Sequence, residues 1–448
     1  MSTEHTLLKR GWRNDALWTA SSLFRSIAIR IPIFFDTRAL LKSRFWTKDL
    51  MRHYSTLRLR DALQAAAHLP FWKERLENSG VDLDSFQVSD LDRLPVLSKK
   101  DFRERKMVEY TDAETIRFAE RDFTSGSTGQ PFEFFFDRPA ELRSFAICER
   151  MFRINAGGRY PVIGMRGRHK PGFAVHGHHM FYLLGSNSVK HRLHDLVEVA
   201  QRYPEGIILY GYTSAIIEVA RQVQEQGGTM NIRAAIATGE ALSAEQRALI
   251  EQTLKTKFFL NYASREMGWV GYECDHHSVH VNEEWAYLEI VDENGKAVKD
   301  GEEGAIVVTL FDNRTMPLIR YDSGDTGSVI PGPCPCGSAL KRITLSGRKN
   351  DIIELADGRT VPLINLSASL DKYNKSLRQF QIVQTSPLEF TIKVIPGPGF
   401  EASRDNIRDQ IVRLLHPSVT ITWEIVEDIA PSKSGKSIYF VRALKNTP

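Results

Sequence analysis

The chain has 448 residues, of which 42% are hydrophobic and 25% are charged, and this is enough apolar material for a large core divided between two or three domains. The 59 basic and 55 acidic side chains leave a formal net charge of only +4, which argues against a nucleic-acid-binding protein, because such a protein needs a dense basic face. We find no apolar run of about 18 residues, no signal-peptide pattern and too few cysteines for a disulfide scaffold. These features predict a cytoplasmic globular protein without a transmembrane segment.

Residues 1 to about 110 have the apolar spacing of helices. Between Leu57 and Ala67 apolar side chains recur three and four positions apart, and the pattern breaks at His68–Pro70 before it restarts. The basic and apolar stretch Trp18–Arg44 fits either a helix docked on the body of the protein or a segment that lies on a membrane surface. We favour the docked helix, because arginine side chains that reach past an apolar surface are common there.

From about residue 120 onwards, strand-like runs alternate with helical ones. Runs rich in β-branched or aromatic residues predict strands at 133–136, 206–210, 234–238, 285–291 and 304–310. Helical spacing is present at 212–226 and 243–254. Such alternation is typical of an α/β protein with at least one mostly parallel sheet.

The C-terminal stretch mixes strands at 379–384 and 389–394 with a helix at 403–415, which is typical of a small α+β domain of about 100 residues. The predicted fold class is α/β, and its parts are a large N-terminal domain of mixed sheets and helices at 1–346, a hinge at 347–351 and a C-terminal α+β domain at 352–448.

The densest motif is the run Thr124–Pro131, which reads Thr-Ser-Gly-Ser-Thr-Gly-Gln-Pro. Glycines let a backbone approach a ligand closely, and hydroxyl and amide groups together can hold a polyphosphate. The run is not a Walker A loop, because no Gly-Lys-Ser/Thr follows it. By itself such a run is more often a simple turn, so its interpretation depends on the other motifs in the chain.

Five further motifs follow in order, and each carries groups suited to a nucleotide. They are Ala237–Leu242, with a backbone that fits under a purine ring; Asn261–Glu266, with an aromatic face and a carboxylate; Arg320–Asp325, with a carboxylate on an expected tight turn; Gly347–Arg348; and Pro431–Lys436, with a lysine in a loop. Each alone also reads as a turn former, a core residue or a solvated cation. Their joint order favours a common nucleotide site.

This ordered set resembles the adenylate-forming superfamily of acyl-CoA synthetases, and within it the phenylacetate–CoA ligase family and its CapK-like relatives of capsule biosynthesis. Met316–Tyr321 and Cys334–Gly337 support the resemblance, which extends over most of the chain. It implies a site for ATP and Mg²⁺ in which Ser125, Gly126, Ser127, Thr128 and Gly129 hold phosphates, Tyr262 stacks on adenine near Gly239 and Glu240, Asp325 binds the ribose, and Lys436, Glu266 and Arg348 are catalytic. In that scheme Glu266 binds magnesium and Lys436 bridges the substrate carboxylate and the α-phosphate.

By the same resemblance the protein is an AMP-forming acid–CoA ligase with a mobile C-terminal lid. It would activate a small-molecule carboxylic acid, by default an aromatic one, as an acyl adenylate, and then transfer the acyl group to coenzyme A. Two alternatives stay open: adenylyl transfer to a deazaflavin-type coenzyme, and acyl transfer to an amine or sugar. Gln130, Arg265 and Asn350 depart from the family's usual residues, and the sequence leaves a homodimer open.

Three of the four cysteines fall in one stretch of the chain with a histidine, as Cys274, His280, Cys334 and Cys336. A reduced Cys₃His set suits a closed, tetrahedral and structural Zn²⁺ site. The Cys-Pro-Cys spacing is tighter than usual, so spacing alone does not decide the question. A similar arrangement in several phenylacetate–CoA ligase-like proteins favours zinc, with His276 and His277 as rival ligands.

Two further groups have plainer interpretations. Cys148 lies outside the set and is expected to be a packed thiol. Six of the 13 histidines lie between His169 and His194, and we interpret them as a polar surface loop, with a rim of the substrate pocket as the alternative.

Overall fold

The computed structural model describes residue 33 and residues 36–124, 132–165, 172–176, 179–184, 193–240, 242–349, 352–355, 357–373, 375–430 and 438–443. Within these ranges, none of the helices combines the length and the apolar character that crossing a bilayer requires. Most of Trp18–Arg44 lies outside them, but its described end, 36–43, is helical and buries Leu40. The Ser43 hydroxyl also donates to the Glu284 carboxylate at 2.5 Å, so this end is docked on the body.

Helices dominate the described chain before residue 120, as predicted. They are α1 (Lys48–Ala66), α2 (Pro70–Ser79), α3 (Lys99–Arg103) and α4 (Met107–Tyr110), with 3₁₀ turns at Val88–Arg93 and Ile116–Phe118. Thr47 begins α1 by accepting a hydrogen bond from the Leu50 amide at 3.3 Å. Pro70 fixes the backbone of the first turn of α2, and this separates the two helices where the apolar spacing breaks.

The middle of the chain alternates strands with helices. Its strands are β1 (Glu120–Phe123), β2 (Glu133–Phe136), β3 (Val162–Met165), β4 (Gly172–His176), β5 (His179–Leu184), β6 (Ile207–Tyr212), β7 (Ile232–Thr238), β8 (Phe258–Ser264), β9 (Gly268–Glu273), β10 (Val279–Val281), β11 (Ala286–Val291), β12 (Gly304–Leu310), β13 (Tyr321–Gly327), β14 (Val329–Ile330), β15 (Arg342–Ile343) and β16 (Gly347–Arg348). Its helices are α5 (Arg138–Ala156), α6 (Leu193–Gln201), α7 (Thr213–Gln226) and α8 (Ala244–Leu254).

The largest sheet has ten strands in the order β14-β15-β10-β9-β8-β7-β6-β3-β5-β4. Its centre, β5-β3-β6-β7-β8, is parallel, which confirms the prediction of a mostly parallel sheet. The antiparallel strands β9, β10 and β15 extend it on one side. Because parallel strands end at a common edge, β7 and β8 bring Thr238 and Ser264 to the same side, where ligands bind in sheets of this kind.

A second sheet, β11-β12-β13-β16, is wholly antiparallel, and β1 pairs with β2 in a separate ribbon. Strand β16 lies beside β13, with Arg348 opposite Asp325. This pairing brings two of the predicted site residues together through the backbone alone.

The C-terminal part has its own sheets and its own hydrophobic cluster. Its elements are β17 (Ile352–Glu354), β18 (Thr360–Pro362), α9 (Leu363–Leu370), β19 (Leu377–Ser386), β20 (Glu389–Pro396), α10 (Phe400–Leu414), β21 (Thr420–Ile425) and β22 (Phe440–Arg442). The sheet β21-β20-β19-β22 packs against α10 through buried residues such as Ile392 and Ile407. The exact boundary of this domain stays a prediction.

Candidate active site

Asp325 lies on strand β13 rather than on the tight turn expected from the sequence. The pairing of β13 with β12 shifts register between Asp322 and Thr326, so the residues between them form a bulge. Gly324 has a φ of 79°, which favours glycine, and the Ser323 hydroxyl anchors the bulge by donating to the Ile306 carbonyl at 2.9 Å. The bulge thus takes the role that we expected of a tight turn: it directs the Asp325 carboxylate away from the pairing of β12 with β13.

Each oxygen of the Asp325 carboxylate has a partner from another segment. The Tyr262 hydroxyl, at the end of β8, donates to Oδ2 at 2.9 Å, and Arg348 Nε lies 3.4 Å from Oδ1. Burial raises the pKa of Tyr262 well above its usual value, and the Asp325 charge raises it further, so the hydroxyl stays a donor. The structure therefore unites three residues that the motifs supplied separately.

Glu266 is buried, with only 4% of its surface exposed, and is paired with two groups. Lys99 Nζ lies 2.8 Å from its Oε1, and the Tyr321 hydroxyl donates to the same oxygen at 3.2 Å. Burial acts to raise the pKa of Glu266, but the Lys99 ammonium and its hydrogen bond outweigh this and hold the pKa below its usual value. The buried carboxylate is therefore charged at neutral pH.

Lys99 was not found from the sequence, because no motif joins it to Glu266. Its position is set by Leu97, which pairs with the segment that carries Tyr321. The Leu97 amide donates to the Arg320 carbonyl at 2.9 Å, and the Leu97 carbonyl accepts from the Asp322 amide at 2.7 Å. The Ser98–Asp101 capping box then begins α3 with Lys99 as its first residue. The capping box is readable from the sequence, whereas the contact with β13 is tertiary.

These contacts form two networks, Tyr262–Asp325–Arg348 and Lys99–Glu266–Tyr321, which share the segments Tyr262–Glu266 and Tyr321–Asp325; we name them together the Asp325 cluster. Arg265, the unusual residue beside Glu266, forms an ion pair with Asp122 on β1 and lies outside this cluster. It thereby ties the strand that precedes the predicted phosphate loop to the segment that carries Glu266.

Gly239 and Glu240 follow β7 at the same sheet edge. Gly239 has a φ of 78°, and the Glu240 carboxylate accepts hydrogen bonds from the Ser214 amide at 2.7 Å and its hydroxyl at 3.1 Å. The Glu240 side chain therefore holds the first turn of α7, and it is the backbone here that lies at the sheet edge.

Some predicted residues lie outside the described residues. They are the phosphate-loop residues Ser125, Gly126, Ser127, Thr128 and Gly129, the lysine Lys436, and Asn350 and Asp351 of the predicted hinge. Of the histidine group, the side chains from 166 to 192 are likewise not described, but the backbone of His176 ends β4 and that of His179 begins β5, so the prediction of a loop is wrong for this part. Their roles stay predictions from the sequence.

The four predicted zinc ligands meet, and we name Cys274, His280, Cys334 and Cys336 the Cys/His cluster. Their ligand atoms all lie within 4.8 Å of one another, and all but Cys336 are buried. The His280 Nδ1 lies 3.1 Å from the Leu340 carbonyl, which leaves Nε2 facing Cys336 Sγ at 3.3 Å. Burial lowers the pKa of His280 to about 4, so its ring is neutral at neutral pH.

The rival ligands and the fourth cysteine are placed elsewhere. His277 Nδ1 lies 3.4 Å from the Glu273 carboxylate rather than among the thiols. Cys148 is buried in the core, as predicted.

Comparison with known proteins gives concordant results. A phenylacetate–coenzyme A ligase of Thermus thermophilus is 24% identical over 370 residues, which cover 78% of this chain and 82% of that protein. The family described as the CapK C-terminal domain matches residues 353–443.

Two solved structures of a 2-hydroxyisobutyryl-CoA ligase share the fold. In the postadenylation state, in complex with R3-HIB-AMP, it matches with a TM-score of 0.73 at 19% identity, covering 89% of this chain and 91% of the ligase. In the thioesterification state, in complex with 2-HIB-AMP and CoA, the TM-score is 0.59 at 19% identity, with coverages of 90% and 92%.

The fold is that of the adenylate-forming ligases with a C-terminal domain. Within that class, the chain is similar to a phenylacetate–CoA ligase over most of its length, and its C-terminal part matches the CapK C-terminal domain. The resemblance found in the sequence motifs is thereby confirmed.

Proposed function

We propose that this protein is an AMP-forming acid–CoA ligase: it joins a carboxylic acid to AMP with release of pyrophosphate, and then transfers the acyl group to coenzyme A. The observation that carries the proposal is the convergence of three separate motifs in the Asp325 cluster. Tyr262 and Glu266 come from one motif, Tyr321 and Asp325 from the next, and Arg348 from the third. The likeness to a CoA ligase over most of both chains supports the same chemistry.

In this proposal the Asp325 carboxylate accepts hydrogen bonds from the two ribose hydroxyls of ATP. Tyr262 and Arg348 hold the carboxylate in place before the nucleotide arrives, which reduces the ordering cost of binding. Asn261, the residue before Tyr262, pairs with Thr238, the residue before Gly239 and Glu240, and the purine is proposed to bind at this edge of the sheet. Arg348 is half exposed, with 47% of its side chain accessible, so it can also reach a ligand.

Glu266 would hold the Mg²⁺ that accompanies ATP, and the ion would neutralise phosphate charge when bound. The residues present fit this role, because a buried and charged carboxylate needs a cation, and Lys99 supplies one in its place here. Lys99 has 35% of its side chain exposed, whereas Glu266 has 5%. We propose that it keeps Glu266 ionised and oriented until the metal–nucleotide complex binds.

The remaining steps rest on residues proposed from the sequence. Attack of a carboxylate on the α-phosphate brings two anions together, and a positioned lysine such as Lys436 would lower that repulsion and stabilise the developing charge. The run from Ser125 to Gly129 would hold the β- and γ-phosphates as pyrophosphate leaves. Closure of the C-terminal domain, pivoting near 347–351, would exclude water from the acyl adenylate.

The experiment that tests the function separates the two half-reactions. Purified protein with ATP and Mg²⁺ is given a panel of aromatic and aliphatic carboxylic acids, and pyrophosphate release is measured for each. Coenzyme A is then added, and the thioester is sought by mass spectrometry. Absence of pyrophosphate release with every acid would overturn the proposal, and release without a thioester would assign the acyl or adenylyl group to another acceptor.

We propose further that the Cys/His cluster holds one structural Zn²⁺. The donor set fits the ion: three soft thiolates and a neutral imidazole face one point, and the Leu340 carbonyl fixes the imidazole from behind. The same cysteines are free of disulfides, which fits a reducing compartment, and we therefore propose a cytoplasmic location.

A further inference from the structure

The described surface of α7 makes contacts with the C-terminal domain that neither part needs for its own core. Arg378 on β19 places Nη2 3.6 Å from Glu218 Oε1 and 3.7 Å from Glu225 Oε2. Arg221 donates a hydrogen bond from its guanidinium to the backbone carbonyl of Arg378. Glu218, Arg221 and Glu225 are spaced three and four residues apart, so all three lie on one face of the helix.

The side chains on this face of α7 are held in place by further contacts. Glu218 has only 17% of its side chain exposed and is held by the Gln222 amide at 2.8 Å. Burial lowers the pKa of Arg221, and the neighbouring Glu218 and Tyr439 counteract that effect. Tyr439 in turn packs on Phe380 of β19, with ring centroids 5.6 Å apart.

The buried residues of α7, such as Ile216 and Ala220, lie in a different hydrophobic cluster from those of the C-terminal domain. The ion pairs and the Arg221 hydrogen bond therefore depend on the relative orientation of the two parts and are lost when that orientation changes. Such contacts can bias a two-state equilibrium, because they stabilise one state alone.

We propose that Glu218, Arg221, Glu225 and Arg378 form a latch that holds the C-terminal domain in an orientation preceding thioester formation, and that opening the latch commits the enzyme to its second half-reaction. The proposal rests on the proposed function. It is supported by the two ligase structures described above: they cover this chain almost equally, yet the likeness is greater to the postadenylation state than to the thioesterification state. The present orientation is thus nearer to the former.

The test compares the two half-reactions in Arg378→Glu and Arg378→Gln variants of the full-length protein. Adenylation is measured as ATP–pyrophosphate exchange with the acid that gives the highest rate in the panel, and thioester formation from the corresponding synthetic acyl adenylate and coenzyme A. We expect the ratio of thioester formation to exchange to rise about three- to tenfold in Arg378→Glu and less in Arg378→Gln, as befits partly exposed ion pairs. Arg408→Gln is the matched control, because Arg408 pairs with Asp405 and Asp409 of its own helix.

A charge exchange makes the test specific. In the triple variant Glu218→Arg, Glu225→Arg and Arg378→Glu, the signs are reversed but complementary, and the ratio should return to within about twofold of the wild-type value. An unchanged ratio in both Arg378 variants, or an equal loss of both half-reactions that the exchange does not rescue, would overturn the latch.

A second readout does not depend on catalysis. Small-angle scattering of the ligand-free protein should show a wider distribution of domain placements in Arg378→Glu than in the wild type and in Arg408→Gln. If the wild type is inactive with every acid while this difference is seen, the proposed function fails, although Arg378 still restrains the C-terminal domain; identical scattering curves would overturn the latch whatever the activity.

Discussion

The Asp325 cluster and the Cys/His cluster share two stretches of the chain, one around β9 and one around β13 and β14, yet they differ in charge and in exposure. Glu266 precedes strand β9 and Cys274 follows it, so the two clusters lie at opposite ends of that strand. Asp325 and the Cys-Pro-Cys segment are likewise separated by only the short strand β14.

The end that carries Asp325 is charged and partly open. Its carboxylates are paired with a half-exposed arginine and a one-third exposed lysine, both of which a nucleotide or a cation can reach. The other end is more enclosed: His280, Cys274 and Cys334 are buried, and the four ligand atoms lie within 4.8 Å of one another. The comparison predicts that substitutions at the Asp325 end mainly reduce catalysis, and that substitutions at the Cys/His end mainly reduce stability.

The sharpest test of the proposed nucleotide site uses Lys436. If the lysine bridges carboxylate and α-phosphate, Lys436→Ala should slow acyl-adenylate formation by about two to four decades, because a cation that stabilises transition-state charge contributes on the order of 3–5 kcal/mol. ATP binding and conversion of a synthetic acyl adenylate to thioester should be nearly unchanged. Lys433→Ala is the neighbouring control, and full activity of Lys436→Ala would assign the segment to ordinary surface.

Asp325→Ala should give the next largest effect. Loss of two hydrogen bonds to the ribose should lower kcat/KM for ATP by the equivalent of roughly 2–4 kcal/mol of transition-state stabilisation, and Tm should fall by a smaller amount, because the buried Tyr262 hydroxyl loses its acceptor. The measurement is pyrophosphate release against ATP concentration, beside thermal unfolding. Asp357→Asn, a carboxylate paired with Arg359 in the C-terminal domain, serves as the control. ATP kinetics equal to wild type would remove Asp325 from the site.

The Cys/His end is tested by removing a thiol. Cys334→Ser or Cys336→Ser should lose about one zinc per chain and lower Tm by roughly 5 °C or more, because metal binding contributes to folding stability. Cys148→Ser, which alters a buried thiol outside the cluster, should keep the metal. Metal analysis that finds no zinc in the reduced wild-type protein would contradict the assignment.

We expect the smallest effect from a substitution of Lys99. This residue also tests the contrast between the two clusters, because it lies in the Asp325 cluster and yet affects stability. Lys99→Gln leaves the buried Glu266 carboxylate without its cation, so we expect Tm to fall by roughly 2–4 °C in the absence of metal. Mg²⁺ with ATP should restore part of that loss, because the ion takes over the neutralising role, whereas Lys100→Gln should behave as wild type in both conditions. A loss that Mg²⁺ and ATP leave unchanged would show Lys99 to be purely structural.

The sequence by itself determined the α/β class, the positions of strands such as β6, β7 and β12, and the order of the nucleotide motifs, but it left α5 and the strands β3 to β5 unpredicted. These features are local: strand β12 spans the predicted run from Gly304 to Leu310, and helix α7 begins within one residue of the predicted start. Apolar periodicity and turn-forming residues are properties of neighbouring residues, so they predict helices and strands without knowledge of the fold.

Tertiary structure alone decided which groups face one another. The bulge that directs Asp325, the pairing of Lys99 with Glu266 and the contact of Arg378 with α7 each join residues distant in the chain. No local pattern encodes such pairs, because they arise only when strand register and domain packing bring separate segments together. The Cys/His cluster lies between these cases: its ligand types could be read from the sequence, but their meeting at one point depended on β9, β10 and β15 lying side by side.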